Sequence, residues 1–300
     1  MKALKRLVKP LVLPVIEWIT ARFRQRELRA ELPHQGAQAI VMALDQAGLP
    51  EGAAVLIHTS LKSIGYVEGG AEAVVDALIE AVVERRRGTL VLPTFSIDGT
   101  MHNTLSSGRV FDVRTTPSNL GAIPEVLRRR PGVARSVHPS HSFAALGPLA
   151  TWLTEAHHLA GSNFGANTPM VRLLEKHGYL MGIGTHLGNV TFYHCLEDLL
   201  DDFPVTVYSE DSPFAVTCID GDGRAHQLQL GAHAPANRYT RIDQPENEAL
   251  RAHFTRHLEA YAGLRWFDIG ATRGWVVPLE AMYRECVRLA RQGITVYSRL

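Results

Sequence analysis

A hydroxyl, an imidazole and a carboxylate recur at three-residue spacing in the middle of the chain. Thr191, His194 and Glu197 follow a glycine-broken loop, and their spacing predicts that they share one face of a helix. The opposite face of that helix is apolar and carries Phe192, Leu196, Leu199 and Leu200. Such a row of polar groups can transfer protons. The same pattern also fits an amphipathic helix whose polar face happens to carry a histidine.

Cys195 stands next to His194 and raises the question of a thiolate nucleophile. Adjacent helical residues point about 100° apart, so the two side chains do not face each other and a covalent cysteine mechanism is not expected. The three cysteines of the chain are far apart, and no C-x-x-C spacing occurs. This argues against a disulfide framework or a cysteine zinc site and favours a reducing cytoplasm.

Other histidines capable of chemistry lie at His138, His141 and His157-His158. The spacing of His138 and His141 could fit a metal site. However, Pro139 argues against a helix that carries both, and no acidic residue lies nearby to complete a zinc site. We therefore expect no metal, and a metal-dependent hydrolase is kept as an alternative function.

The first elements that position these groups form an α/β unit. Periodicity predicts helices over 35–47 and 71–86 and buried strands over 53–57 and 89–93. The two strands should be parallel with a right-handed crossover, and ligands bind at the carboxyl ends of such strands. Polar residues stand at both ends, in segments 59–60 and 94–96.

The remaining elements complete an α/β fold with a central, mostly parallel sheet flanked by helices. Segment 97–117 is predicted as a long loop, and Asp220-Gly221-Asp222-Gly223 predicts an antiparallel hairpin insertion in the C-terminal half. We expect residues 34–300 to form a single domain. Further helices are predicted over 120–130, 148–158, 168–177, 245–261 and 278–291, and further strands over 179–183, 204–208, 214–219, 225–230, 264–269 and 294–297.

Composition bounds the functional class. The 300 residues are 46% hydrophobic and 20% charged, with a net charge of +1, which is typical of a soluble globular protein. A nucleic-acid partner would require a dense basic surface, so none is expected.

The N-terminus combines basic residues with the short apolar run 11–19. That run is too short to span a bilayer, and no clean signal-peptide cleavage site follows it. We predict that residues 1–33 form a basic helical extension that packs on the domain or on a second subunit of a homo-oligomer. Contact of residues 1–30 with a membrane surface stays open, and a non-catalytic docking protein is the second alternative function.

Glycine motifs for nucleotides are weak in this chain. Gly65, Gly69 and Gly70 match neither G-x-G-x-x-G nor a Walker loop, although they precede a helix whose free N–H groups suit a phosphate. No G-x-S-x-G elbow occurs, so a hydrolase serine has no obvious position.

Taken together, four segments resemble the aminoglycoside 3-N-acetyltransferase family, the acetyl-coenzyme A enzymes that are distinct from the GNAT fold. Their order and spacing carry the resemblance, which covers about residues 35–200. They are His58-Thr-Ser-Leu-Lys-Ser-Ile-Gly65 with Gly69-Gly70, Gly88-Thr-Leu-Val-Leu-Pro-Thr-Phe-Ser96, residues 111–118 through Arg135-Ser-Val-His-Pro-Ser-His-Ser-Phe-Ala-Ala-Leu-Gly147, and Thr191-Phe-Tyr-His-Cys-Leu-Glu197.

The resemblance implies direct acetyl transfer from acetyl-coenzyme A to a substrate amine, without a covalent enzyme intermediate or a metal. His194 would be the general base, Glu197 would orient it or help to hold the amine, and Thr191 with backbone N–H groups would stabilise the thioester oxyanion. The residues implied to hold coenzyme A are Ser60, Leu61, Lys62, Gly65, Gly69, Gly70, Phe95, Ser96, His138 and Ser142.

The chain departs from the family pattern after about residue 205, and segment 270–277 is a loose match at best. The hairpin insertion and the tail are expected to shape the acceptor pocket. A polycationic antibiotic should prefer an acidic site; this chain is balanced overall, although Asp201-Asp202 and Glu210-Asp211 could supply local acidity. We therefore favour an amino sugar, free or nucleotide-linked, over an aminoglycoside as acceptor.

Overall fold

The structure, a computed structural model, describes residues 36–300. The predicted basic extension over residues 1–33, with its membrane contact, lies outside the described residues. Among residues 36–300, none of the helices combines the length and apolar character needed to cross a bilayer.

Within residues 36–300, ten strands form two sheets. Seven of them make the central sheet, in the order β4-β5-β2-β1-β6-β10-β9, and the other three make a small sheet in the order β3-β7-β8. The strands are β1 (Ala54–Thr59), β2 (Thr89–Pro93), β3 (Phe111–Asp112), β4 (Ala134–Arg135), β5 (Phe143–Leu146), β6 (Tyr179–Ile183), β7 (Phe214–Ile219), β8 (Ala225–Leu230), β9 (Arg265–Ile269) and β10 (Thr272–Pro278).

The central sheet is mixed. Strand β1 pairs in parallel with β2 and with β6, whereas the other four strand pairs are antiparallel. The prediction of a mostly parallel sheet therefore holds only for the three central strands. It fails at the edges because β5 and β10 were not expected: β10 forms a hairpin with β9 and pairs antiparallel with β6.

Helices cover both faces of the central sheet. A π-helical segment, Ile79–Glu84, directly follows the helix Gly70–Leu78. The α-helices are α1 (Ala37–Gln46), α2 (Leu61–Ile64), α3 (Gly70–Leu78), α4 (Met101–Ser106), α5 (Ala122–Arg128), α6 (Ala150–Thr154), α7 (Pro169–Glu175), α8 (Cys195–Leu199), α9 (Glu248–Tyr261) and α10 (Leu279–Arg291).

The alternation of side chains along β1 divides the core into two layers. Val55 and Ile57 pack with α1, α3 and α5, while Ala54 and Leu56 face the layer that contains α6 to α10. Each strand of the centre is therefore buried on both sides, which explains its continuous apolar sequence.

The small sheet consists of the predicted hairpin and one added strand. Strands β7 and β8 pair antiparallel, and β3 joins β7 in parallel. Gly223 takes a φ of +84° in the turn between β7 and β8, where Asp220 Oδ1 accepts from two backbone N–H groups.

Three local predictions were wrong. Segment 204–208 contributes only an isolated bridge between Tyr208 and His233, segment 294–297 is not a strand, and segment 97–117 contains α4 and β3. Tertiary contacts rather than local periodicity decide the conformation of these three segments.

Candidate active site

A cleft with two lobes opens at the carboxyl ends of β1, β2 and β6. The first lobe has a volume of about 350 Å³ and is lined by strand-end residues such as His58, Thr59, Phe95 and Thr185. The second lobe, of about 220 Å³, is lined by α4 and by the segment between β8 and α9. Both lobes are lined by Ile97, His141, His194, Arg241 and Asp243.

The predicted row of polar residues is present at the junction of the lobes. Thr191–His194 forms a 3₁₀ helix and α8 follows at once. In a 3₁₀ helix side chains three apart eclipse one another, so the three-residue spacing stays on one face. His194 Nδ1 lies 2.6 Å from Glu197 Oε1.

Two residues that the sequence analysis missed complete this arrangement. Tyr297 donates its hydroxyl to Glu197 Oε1 at 2.7 Å, and His233 Nε2 lies 2.7 Å from Glu197 Oε2. Both carboxylate oxygens are thus in contact with protein groups, and the side chain of Glu197 has no solvent exposure. We call His194, Glu197, His233 and Tyr297 the cleft cluster.

Electrostatics keep the buried carboxyl of Glu197 ionised. Burial alone would raise its pKa, but the charge and hydrogen bond of His194, together with those of His233, lower it to about 2. Burial in turn lowers the pKa of His233 despite the opposing effect of Glu197. An ionised Glu197 can only accept, so Nδ1 of His194 donates to it, and in the neutral imidazole this leaves the lone pair on Nε2.

The other face of the cluster rests on an aromatic ring. Phe164 is fully buried, and its ring centroid lies 5.1 Å from that of His194, 5.4 Å from that of His233 and 4.8 Å from that of His141. Asp198 Oδ2 accepts from the backbone N–H of Phe164, which fixes the position of the ring.

A second set of histidines, His138, His141 and His157, forms the buried histidine group, of which His141 also lines both lobes. The rings of His138 and His157 stack at 4.5 Å. His138 Nδ1 accepts the backbone N–H of His141 at 3.0 Å, and Ser136 lies 2.9 Å from His157 Nδ1. Burial lowers the pKa of His138 to about 3 and that of His157 well below its usual value. No carboxylate touches these rings within residues 36–300, so they are held neutral.

Among the residues predicted to hold coenzyme A, Phe95 lines the first lobe. Three others hold the strand-end loops together. Ser96 is buried and donates to the carbonyl of Pro139, and Ser142 donates to the carbonyl of Thr94. His138 belongs to the buried histidine group. Direct contact of these last three with coenzyme A stays a prediction.

The rest of that predicted set does not line the first lobe. Ser60 precedes α2, its hydroxyl 2.8 Å from that of Ser63, and α2 contains Leu61 and the exposed Lys62. Gly65, Gly69 and Gly70 have positive φ angles of 99°, 80° and 62°. Ser60 directly follows Thr59, which lines the first lobe together with His58, whereas the three glycines are not part of the lining.

Thr191 lines the first lobe, and no hydrogen bond occupies its hydroxyl within the described part of the chain. Cys195 is fully buried, and burial raises the pKa of its thiol well above the usual value, in line with its exclusion as a nucleophile. His186 precedes the 3₁₀ turn Leu187–Asn189 and is not part of the cleft lining.

A metal ion could be held by groups in the cleft cluster. Ligand atoms of His194, Glu197 and His233 all lie within 4.8 Å of one another. The donor types suit zinc, although the 2.6 and 2.7 Å contacts to the carboxylate would have to open to admit an ion. The group predicted as a metal alternative around His138 and His141 forms no such cluster within residues 36–300.

The missed residues carry little local signal. His233, Arg241 and Asp243 lie in the irregular segment between β8 and α9, and Tyr297 lies 100 positions after Glu197. The only indication in the sequence is a concentration of ionisable residues in a segment without periodicity.

The chain matches a known protein family over most of its length. The family model of aminoglycoside 3-N-acetyltransferases matches residues 56–291. The chain belongs to this family. The match extends well past residue 205, so the expectation that the chain departs from the family pattern there was wrong, and the C-terminal part belongs to the family domain.

The curated relatives match over a shorter stretch. The aminoglycoside N(3)-acetyltransferase IX of Micromonospora chalcea is 35% identical over 171 residues, which is 53% of this chain and 60% of the relative. The chain thus matches somewhat over half the length of this relative.

Solved structures match over nearly their whole length. The aminoglycoside acetyltransferase AAC(3)-Xa is 25% identical with a TM-score of 0.72 over 91% of this chain and 99% of its own. AAC-IIIb, solved in a binary complex with CoASH, is 22% identical with a TM-score of 0.71 over 89% of this chain and 100% of its own. These likenesses concern the fold.

Proposed function

We propose that this chain is an N-acetyltransferase that moves the acetyl group of acetyl-coenzyme A directly onto a primary amine of an amino sugar or aminoglycoside. The observation that carries the proposal is the 2.6 Å contact of His194 with a buried, ionised Glu197 at the junction of the two lobes. A base there can reach a substrate in either lobe.

The two lobes suit two substrates. We assign the thioester to the first lobe, at the strand ends, and the amine to the second. The complex of AAC-IIIb with CoASH supports coenzyme A as the donor. Within this lobe Phe95 would pack against the cosubstrate, and residues 60–70 would contact the parts that extend outside.

His194 acts as general base through Nε2. No hydrogen bond within residues 36–300 occupies that atom, whereas Nδ1 is bonded to Glu197. The amine nitrogen forms a bond to the acetyl carbon while its proton passes to Nε2. As the carbon–sulfur bond breaks, the protonated His194 returns that proton to the leaving thiolate, so the enzyme ends unchanged.

Glu197 and Tyr297 act through His194. The carboxylate keeps the imidazole in the Nδ1–H tautomer and stabilises the imidazolium that forms, while the hydroxyl of Tyr297 holds the carboxylate in place. Thr191, with its free hydroxyl in the first lobe, would donate to the developing oxyanion of the thioester.

The test is a free-thiol assay with acetyl-coenzyme A and a panel of amines that includes aminoglycosides and amino sugars. We expect thiol release that depends on both substrates. Absence of release with every amine would contradict the proposal. Loss of activity on chelation and recovery with zinc would favour a metal-dependent hydrolase at His194, Glu197 and His233 instead.

Three expectations stay predictions of the same proposal. They are that residues 34–300 act as a single domain, that the protein works in the cytoplasm, and that it forms a homo-oligomer. Size-exclusion chromatography with light scattering tests the last of these.

A further inference from the structure

We propose that the second lobe contains a subsite for an anionic group of the acceptor, a phosphate or a carboxylate, bound by Arg238 and Arg241. The inference rests on the proposed acetyl transfer and specifies its acceptor class. The acceptor would be an amino sugar that carries a negative charge, rather than a polycationic aminoglycoside.

The charges that line the second lobe favour an anion. Among residues 36–300, they are the two guanidinium groups and a single carboxylate, that of Asp243. The acidic pairs Asp201-Asp202 and Glu210-Asp211, which could have supplied local acidity, are not part of the lining.

Among residues 36–300, each carboxylate oxygen of Asp243 and Glu197 already contacts another protein side chain. Asp243 accepts from Arg241 through both oxygens, at 2.6 Å from Nε and 2.5 Å from Nη2. Glu197 accepts from His194 and Tyr297 through Oε1 and contacts His233 through Oε2. Acceptor ammonium groups remote from the reacting nitrogen would therefore find no unpaired carboxylate among the described residues of this lobe.

The guanidinium groups, in contrast, have N–H donors without a partner among residues 36–300. Arg238 is exposed at the lobe and makes no hydrogen bond or ion pair with any residue of the segment 36–300. Nη1 of Arg241 likewise has no partner there, although its Nε and Nη2 are taken. Planar guanidinium groups with unoccupied N–H donors match the oxygens of a phosphate or carboxylate.

Coenzyme A also carries phosphates and is the other source of an anion. Arg241 lines both lobes and could contact either substrate, but Arg238 lines only the second lobe. Arg238 therefore distinguishes the two sources. The kinetic constants for acetyl-coenzyme A and for the acceptor report on them separately.

The experiment compares kcat/KM for glucosamine, glucosamine 1-phosphate, glucosamine 6-phosphate, 2-amino-2-deoxyglucuronate and the aminoglycoside sisomicin. The enzymes are the wild type, Arg238→Gln and the control Arg256→Gln, an exposed arginine on α9 outside the cleft lining. We expect at least one anionic sugar to exceed glucosamine about tenfold in the wild type, since charge-assisted hydrogen bonds are strong. This ratio should fall several-fold in Arg238→Gln and persist in Arg256→Gln.

Several outcomes would overturn the inference. They are a wild-type preference for sisomicin or glucosamine, a ratio unchanged in Arg238→Gln, and a rise in KM for acetyl-coenzyme A alone, which would assign Arg238 to the coenzyme. If no amine is acetylated, the proposed function fails. Calorimetric titration with the sugar phosphates then decides the subsite separately: binding lost in Arg238→Gln supports it, and no binding overturns it.

Discussion

Two groups of histidines lie at the cleft, and they differ in whether a carboxylate contacts their rings. In the cleft cluster His194 and His233 share the carboxylate of Glu197. In the buried histidine group the rings of His138 and His157 touch hydroxyl, backbone and aromatic groups. A carboxylate stabilises a protonated ring, whereas a buried ring without one must stay neutral.

Histidine therefore has two roles in this fold, proton transfer in the cleft cluster and packing in the buried histidine group. His194 can accept a proton because the charge that follows is compensated and Nε2 remains free. His138 and His157 cannot, and they contribute packing and hydrogen bonds. His141 belongs to the buried histidine group but also lines both lobes, and burial lowers its pKa.

The strongest test of the comparison is removal of the proposed base. His194→Ala should lower kcat/KM about a thousandfold, because general base catalysis contributes about 10² to 10⁴. Binding of acetyl-coenzyme A, followed by calorimetry, should persist. The control His177→Ala removes an exposed surface histidine and should leave activity intact. Full turnover by His194→Ala would remove His194 from this role.

The second test removes only the negative charge that distinguishes the cleft cluster from the buried histidine group. Glu197→Gln keeps the size of the side chain but cannot stabilise an imidazolium, so kcat should fall about a hundredfold with little change in KM for acetyl-coenzyme A. Steady-state kinetics measure the split, and Glu197→Asp should restore part of kcat. Equal kcat in Glu197→Gln and the wild type would mean that the carboxylate does not assist His194.

A smaller effect is expected at the edge of the cleft cluster. Tyr297→Phe removes the donor to Glu197 Oε1 and leaves the ring, so kcat/KM should fall about tenfold, the scale of one hydrogen bond to a charged group. Far-ultraviolet circular dichroism should confirm an unchanged fold. A rise in KM for the acceptor with constant kcat would instead place the hydroxyl in substrate binding.

The buried histidine group should govern acid stability. The pKa of His138 in the folded state, about 3, lies below the unfolded value of 6.5, and that of His157 is also well below it. Their contribution to stability is therefore fully present above pH 6.5 and is lost as the pH falls towards 3. Each such histidine should lower the free energy of unfolding by about 1.4 kcal/mol as the pH falls from 7.5 to 5.5.

The variant His157→Asn isolates one of these groups. Its side-chain amide can still form a hydrogen bond with the hydroxyl of Ser136, but it does not titrate. Urea unfolding at pH 7.5, 6.5 and 5.5 should show a shallower loss of stability with falling pH than in the wild type. Parallel curves for the two proteins would show that His157 does not titrate on unfolding.

Local patterns were sufficient to predict the half of the site that is local in sequence. The three-residue spacing of Thr191, His194 and Glu197 predicted a shared face, and apolar runs predicted β1, β2 and β6, whose ends form the cleft. Motifs within residues 35–200 also predicted the family, which the match of the family model over residues 56–291 confirmed.

Long-range features could not be predicted in the same way. Strand β10 carries Gly274, and a side chain there would collide with Phe267, so an isolated glycine that weakens the strand pattern is required by packing. His233 and Tyr297 approach Glu197 only after the sheet has formed. No local spacing encodes that approach.

The wide separation of the partners of Glu197 also sets an order of assembly. His194 is three positions away, His233 is 36 and Tyr297 is 100. Extending loop closure from the second distance to the third costs about 0.9 kcal/mol of chain entropy. We expect the contact of Tyr297 to be the last of the three to form during refolding, so that recovery of full catalytic rate marks the end of folding rather than the formation of the helix that carries the base.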